Sequence, residues 1–400
     1  MIRRRAALLA AAAPFIPFVA RADAADWDGV QARGRGQTVY FNAWGGDDRT
    51  NAFIAWADER MRMLHEVTVK HVRLTATAEA VTRVLAEKAA GRNDGGSVDV
   101  VWVNGPNFLA MRQAGLLYGP VLDRLPNAGL IDRVGNPATV TDFTVPTDGM
   151  EVPWRMAQLV FVHDGVRLPQ PPRSMLAMRG YAAAHPGRTT HPTASDFMGA
   201  TFLKQALIEL APDPAVLQRA VDDAGHAAAT TPLWRWYDAM RPNFWHGGKD
   251  FPASGPAQAN LFGDGEIDLY PSFDPAEAAT GIARGTLPAT SRAYVLDGGT
   301  LGNCSFMAIP FNAAHRDAAL LLADFLLSPE AQARAADPRQ LGSPTVLALA
   351  RLSPADRARF DALPHPPGLL TAAELGVPRQ EPHPTWMTRL AADWERRVLR

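Results

Sequence analysis

The chain has 400 residues, 47% of them hydrophobic and 20% charged, with a formal net charge of −1. That length exceeds what one hydrophobic core usually holds, so two lobes are expected. The near-neutral charge gives no electrostatic footprint for nucleic acid or an anionic membrane surface. The single cysteine, Cys304, rules out an intramolecular disulfide.

The first segment has the three parts of a secretory signal: Arg3-Arg4-Arg5, the apolar run from Ala6 to Ala20, and the small-x-small site Ala22-Asp23-Ala24. The run is about 15 residues long and contains Pro14 and Pro17, short of the roughly 20 needed to span a bilayer. A cleaved signal over 1–24 and a periplasmic mature protein are expected. No cysteine near the cleavage site could take a lipid.

Thr38 to Ala43 is an apolar, β-rich run that ends at Trp44-Gly45-Gly46-Asp47-Asp48. Phe53, Ala57, Met61 and Leu64 then recur at helical spacing, with Asp47, Asp48 and Thr50 as start signals. Val67 to Leu74 returns as a strand, and Thr77 is placed to cap a helix that closes at Gly91. Val98 to Val103 is a third strand, ending in Asn104-Gly105-Pro106 before another helix. This alternation predicts a mostly parallel sheet covered on both faces, with ligands met by the loops beyond the carboxyl ends of its strands. Trp44, Asp47 and Asn104 stand in two such loops.

Gly149 to Val162 has a different character. Pro153 blocks regular helix, and an apolar run from Leu159 to Val162 follows. We expect a hinge strand between the lobes, with Trp154 and Arg155 facing the cleft. Helices are then expected over 174–184, from Ser195 through Leu210, from Pro232 and over 255–263. The strand-like run from Gly265 to Phe273 carries Tyr270 and Ser272 at its end, and a helix from Asp274 to Gly285 follows. Ala293 to Leu296 is a strand, Gly298 to Ser305 a loop bearing Asn303, and Phe306 to Ile309 the second crossing. Asp317 to Ala335 is expected as one amphipathic helix. A terminal helix with Met387, Leu390, Trp394 and Val398 on one face clamps onto the globule. Lobe 1 is thus assigned 27–152 plus about 306–338, and lobe 2 153–305 plus about 339–400.

The candidate binding residues are Trp44, Asp47, Asn104, Trp154, Arg155, Tyr270, Ser272 and Asn303. Four of them have a plainer alternative: surface packing for Trp44, core packing for Tyr270 and Ser272, turn chemistry for Asn303. Several aromatic faces suit a flat or cationic ligand. Asp47 could meet a positive group, and Arg155 a carboxylate or phosphate. A thiamine-like heteroaromatic satisfies the whole set, and a sugar satisfies the aromatics alone. Enzymatic signatures are weak. His65-Glu66 lacks the second histidine of a zinc helix, His246-Gly-Gly-Lys249 lacks the Ser/Thr of a phosphate loop, and no Gly-x-Ser-x-Gly occurs. No catalytic residue, metal ligand or cofactor is therefore assigned, and an exported hydrolase is the alternative of a different class.

Three stretches carry a resemblance: Arg241-Pro-Asn-Phe-Trp245, Gly248 to Ser254, and Gly298-Gly-Thr-Leu-Gly-Asn303. Phe311-Asn-Ala-Ala314 and Asp324-Phe-Leu-Leu-Ser-Pro-Glu-Ala-Gln332 add to it. With the signal, the two lobes and the double crossover, the chain resembles the family-1 extracellular solute-binding proteins of ABC importers, within them the YnjB-type group. The resemblance implies a type II periplasmic-binding-protein fold, α/β, with two lobes joined by a hinge of crossover strands. It also implies a monomer that captures a small-molecule ligand by lobe closure, for delivery to an inner-membrane ABC permease driven by its ATPase. One departure stands out: the family's Ser/Asn-Tyr at the end of the second-lobe strand is Ser272-Phe273 here, without the phenolic hydroxyl.

Overall fold

A computed structural model describes residues 27–399, so the expected signal segment lies outside the described residues. Nine strands place the site: β1 (Thr38–Trp44), β2 (Thr68–Leu74), β3 (Val100–Val103), β4 (Glu151–Gln158), β5 (Val160–Asp164), β6 (Leu269–Ser272), β7 (Ser291–Tyr294), β8 (Leu301–Ala308) and β9 (Arg379–Gln380). β1 pairs in parallel with β2 on one side and β3 on the other. β3 then pairs antiparallel with β8, so the sheet expected to be mostly parallel is mixed: helical connections keep β1, β2 and β3 parallel, and β8 returns against β3. A second sheet has the order β6-β5-β7, antiparallel throughout.

The crossings are β4 and β8. β4 runs antiparallel to β8 from Gln158 opposite Gly302 to Glu151 opposite Ala308, and only Leu159 separates it from β5 in the other sheet. The register slips once: Ser305 faces Arg155 and Phe306 faces Pro153, leaving Trp154 as the extra residue of a bulge. Pro153 fits here because a bulge relieves the strand of a ladder donor. Asn303, expected in a loop, lies inside β8.

Two main bodies of apolar side chains form around these strands. One gathers Val39, Phe53, Val101, Trp154 and Phe306 with Leu320 and Phe325 from the helix Arg316–Leu327. The other gathers Phe161, Leu203, Trp236 and Tyr237, with Trp386, Leu390 and Trp394 of the terminal helix Pro384–Val398. A smaller cluster about Val160, Tyr270 and Ala278 backs the β6 side.

The boundary expected near residue 339 moves. Leu341, Val346, Leu347, Leu352 and Phe360 pack in the first body, where Asp132 N–H donates to Val346 O and Ala348 N–H to Leu130 O. The chain passes to the second lobe only afterwards, through Leu370 and Leu375, and β9 lies along Leu301 and Gly302 of β8 as a third connection.

Three helices also differ from expectation. The one expected from Pro232 begins at Asp223, capped by Asp222, and carries Pro232 inside it. Asp317 to Ala335 is broken at Ser328-Pro329, where Ser328 caps a second helix. Thr77 does not cap with its side chain; its hydroxyl donates to Trp102 O, while Glu79 reaches back to the N–H groups of Thr75 and Ala76.

Two of the three resemblance stretches have structural duties. Arg241 donates to Gly248 O and to Arg397 O and Val398 O, satisfying the last carbonyls of the terminal helix. In the glycine stretch, a Cβ at Gly302 would lie 2.5 Å from Pro378 Cβ, so the third connection can approach β8 only over glycine.

Candidate functional site

A cavity of about 830 Å³ lies between the lobes. Its rim is made by helix starts: Asp48–His65, Ala78–Ala89 and Pro106–Gln113 from the first lobe, and Phe197–Leu210, Gly255–Gly263 and Glu277–Arg284 from the second. Six positive dipole ends therefore converge on one opening. The floor is the paired hinge. Alternation along a strand sends Arg155 and Ala157 of β4, and Asn303 and Ser305 of β8, to the cleft face.

The expectation for Trp154 is corrected: as the extra residue of the bulge it stands beside Arg155, whose guanidinium carbon is 5.5 Å from its ring centroid, yet its indole is buried and does not line the cavity. Trp154 is 1% exposed and packs inside the first lobe, stacked on Phe53 at 6.0 Å and edge-on to Trp102 at 5.1 Å. Gln332 Nε2 donates to its carbonyl. The aromatic that does line the cleft floor is Trp102, on β3. Its signal was present in the sequence: it stands two residues before Asn104, on the same face.

Arg155 lies over that indole, its guanidinium carbon 5.6 Å from the Trp102 ring centroid. Among the described residues it has no carboxylate within ion-pair distance, and its Nε is buried without a hydrogen-bond partner. Burial pulls its pKa below the ordinary value, against the nearby Asp274 and Asp47. A cation in that position is charge-stabilised by an aromatic face yet short of acceptors.

Trp44 lines the cavity from the last position of β1, Asn104 from the loop after β3, and Ser272 from the end of β6. Three other expected residues are present at the wall but already engaged. Asp47 accepts from Arg49 N–H, Thr50 N–H and the Thr50 hydroxyl, capping its helix. Burial would raise its pKa, but Arg49 and these donors bring it below the ordinary value. Tyr270 is 1% exposed and its hydroxyl donates to Glu277 Oε1 at 3.0 Å. Asn303 donates through Nδ2 to Glu381 Oε1 at 3.0 Å.

Residues that sequence reasoning missed include Phe197 and Phe273, in edge-on contact at 5.3 Å on the second-lobe side, and Met387. Phe273 thus offers the cleft a ring where the related pattern has a phenol. Met387, expected on the packed face of the terminal helix, lines the cavity, while Trp386 takes the buried position. Asp196 is spent on the N–H of Met198 at the start of its own helix. Among the described residues no group of three or more His, Cys, Asp or Glu side chains is placed to hold a metal ion.

The pattern described as bacterial extracellular solute-binding protein matches residues 55–359. Protein YnjB of Escherichia coli (strain K12) is 42% identical over 374 residues, 93% of each chain. Among solved structures, the periplasmic binding protein AfuA of Actinobacillus pleuropneumoniae, with fructose-6-phosphate bound, is similar at a TM-score of 0.62 and 15% identity over 91% of this chain and 99% of that one. The TpPotD lipoprotein of Treponema pallidum reaches 0.66 at 15% identity, over 91% and 100%. Iron-bound HitA of Pseudomonas aeruginosa reaches 0.61 at 16%, over 90% and 99%. These structural likenesses establish a shared periplasmic-binding-protein fold. With its two sheets joined through paired crossings and a cavity between them, the chain belongs to the bacterial extracellular solute-binding proteins: it is the binding component of an ABC transporter and not an enzyme.

Proposed function

We propose that this protein captures, by lobe closure, a small solute that joins an anionic group to a flat heteroaromatic body, a thiamine phosphate being the type. As a periplasmic monomer it would present that solute to an inner-membrane ABC permease. The observation that carries the reading is Arg155, a cation on the cleft floor with no acidic partner. The acids around it are committed elsewhere: Asp47 and Asp196 to helix starts, Asp274 to Arg49. The unspent charge of the floor is therefore positive. Trp102 beneath the guanidinium and Trp44 at the rim supply flat faces, and Asn104 and Ser272 supply polar contacts. A polycation would find few free carboxylates. A sugar phosphate shares the anionic group, and AfuA carries one in its solved structure.

Calorimetric titration of the mature protein with thiamine, thiamine monophosphate, fructose 6-phosphate and spermidine tests this. Thiamine monophosphate should bind at least about tenfold tighter than thiamine, one charge-assisted contact being worth about 1.5–3 kcal/mol. Arg155→Ala should erase that difference. Tightest binding by fructose 6-phosphate would keep the anion and remove the heteroaromatic. Tightest binding by spermidine, unaffected by Arg155→Ala, would overturn the proposal.

A further inference from the structure

A charged contact joins the lobes across the cleft. Arg49, in the first turn of the helix Asp48–His65, belongs to the first lobe, whose core takes Phe53 and Ile54 from the same helix. Its Nη1 lies 2.7 Å from Asp274 Oδ2 and 2.8 Å from Thr280 Oγ1, and its Nη2 lies 3.4 Å from Glu277 Oε2. Those three residues stand on the turn after β6 and on the helix Glu277–Arg284, which packs through Ala278 with Val160 and Tyr270 of the second lobe. Arg49 Nε keeps Asp47 of its own lobe at 3.2 Å. One guanidinium is thus held between a carboxylate of its own lobe and two from the opposite lobe.

The contact is sheltered. The side chains of Arg49, Asp274 and Glu277 are 16%, 13% and 19% exposed, unlike a surface pair free in water. Burial alone would lower the Arg49 pKa, but Asp274, Glu277 and Asp47 carry it well above the ordinary value. Tyr270 fixes the far side by donating to Glu277. The backbones also meet nearby. A Cβ at Gly342, beside Leu341 of the first-lobe core, would lie 2.1 Å from Ala276 Cβ in the second lobe, so glycine there permits the lobes to touch.

We propose that Arg49 is a positioning residue for solute capture: it locks the closed arrangement through Asp274 and Glu277, so that closure is populated before any ligand arrives. Separation of the lobes leaves Arg49 with Asp47 alone and returns two carboxylates to water. The apparent dissociation constant is the intrinsic one divided by the fraction of closed, competent molecules, so a loss of closed population passes directly into affinity. This rests on capture by closure and not on the chemical class of the solute.

The test uses no ligand, so its outcome is separate from that of the solute assignment. Leu85 in the first lobe and Leu176 in the second are 48% and 54% exposed, whereas Cys304 is buried. Spin labels on Leu85→Cys and Leu176→Cys therefore report the interlobe distance in the full mature chain. The unsubstituted lock should show a population at the short, closed distance. Arg49→Gln should shift at least about half of it to longer distances, and Asp274→Asn, which keeps every cation in place, should do likewise to a smaller extent. The double variant should open little further than Arg49→Gln, because the two changes remove one shared interaction. Gly342→Val, with the lock intact, should also open the lobes. Unchanged distances in both Arg49→Gln and Asp274→Asn, or additive opening in the double variant, would overturn the proposal.

Discussion

Two cations stand at the hinge and differ in one respect. Arg155, on the cleft face of β4, rests on Trp102 with no carboxylate within ion-pair distance among the described residues. Lys204, on the helix Phe197–Leu210, is fully buried, its Nζ 2.7 Å from Glu381 Oε2 and flanked by the rings of Phe143 at 4.6 Å and Phe197 at 5.2 Å. The other oxygen of Glu381 accepts from Asn303, so this pair ties the second-lobe helix to β8 and to the third connection. A buried charge costs several kcal/mol of desolvation, which only a partner offsets. Lys204 finds its partner within the chain and serves the fold. Arg155 lacks one, and is left for what the cleft takes up.

The sharpest way to break this division is Lys204→Met, which leaves Glu381 buried and unpaired. We expect a loss of about 3–5 kcal/mol in urea unfolding, with ligand affinity of the folded fraction retained. Adding Glu381→Leu should recover much of that loss. If Lys204→Met unfolds like the wild type, the buried pair is not what holds the third connection. Trp154→Ala should behave on the same side of the division, costing about 3–5 kcal/mol as a large core aromatic while affecting affinity less than the change at its neighbour Arg155.

Arg155→Ala belongs to the opposite side and has a smaller energy. We expect affinity for an anionic solute to fall about tenfold to a hundredfold, the range of one or two charge-assisted contacts. Stability should move by less than about 1 kcal/mol, since no ion pair is broken. Isothermal titration alongside thermal unfolding separates the two effects. A melting temperature that collapses with the affinity would make Arg155 a second structural cation.

How much of this could be seen in the sequence follows from the range of each interaction. The crossings were legible because an apolar, β-branched run interrupted by Pro153 is local information, and the first three strands and helices likewise declare themselves by period. Strand period alone does not separate Trp154 from Arg155, because the register slip that makes Trp154 the extra residue of a bulge is set against β8, far along the chain. The assignment of 341–360 to the first lobe was not legible: this stretch is largely irregular, and its attachments reach back to Leu130 and Asp132. Lys204 reads as an ordinary helix lysine, for Glu381 lies 177 residues further along the chain. Arg49 likewise sits innocuously after a helix cap until the fold brings Asp274 and Glu277 against it.

Asp142 offers the finest probe of the buried side. It is 1% exposed, accepts the N–H of Gly105, and lies within electrostatic reach of Glu381 and Lys204. Burial pushes its carboxyl up to about 8, against the Gly105 donor; Glu381 adds to the rise and Lys204 opposes it. The folded chain therefore holds a proton here across a range where the unfolded chain, with a pKa near 3.9, has lost it. Stability must then fall as pH rises from about 4 to about 8, by at most about 1.4 kcal/mol per pH unit from this one group. The substitution Asp142→Asn removes that proton and leaves an amide oxygen able to accept from Gly105. Unfolding free energies of wild type and Asp142→Asn should accordingly lie closest at or below about pH 4 and diverge toward pH 8, where the variant is the more stable. The buried Glu151 is raised by its burial and further by Asp142, so the difference between the curves reports Asp142 together with its coupling to Glu151. Parallel curves would mean that Asp142 is ionised in the folded chain and shares Lys204 with Glu381, making the buried cation a bridge between two acids and its contrast with Arg155 sharper still.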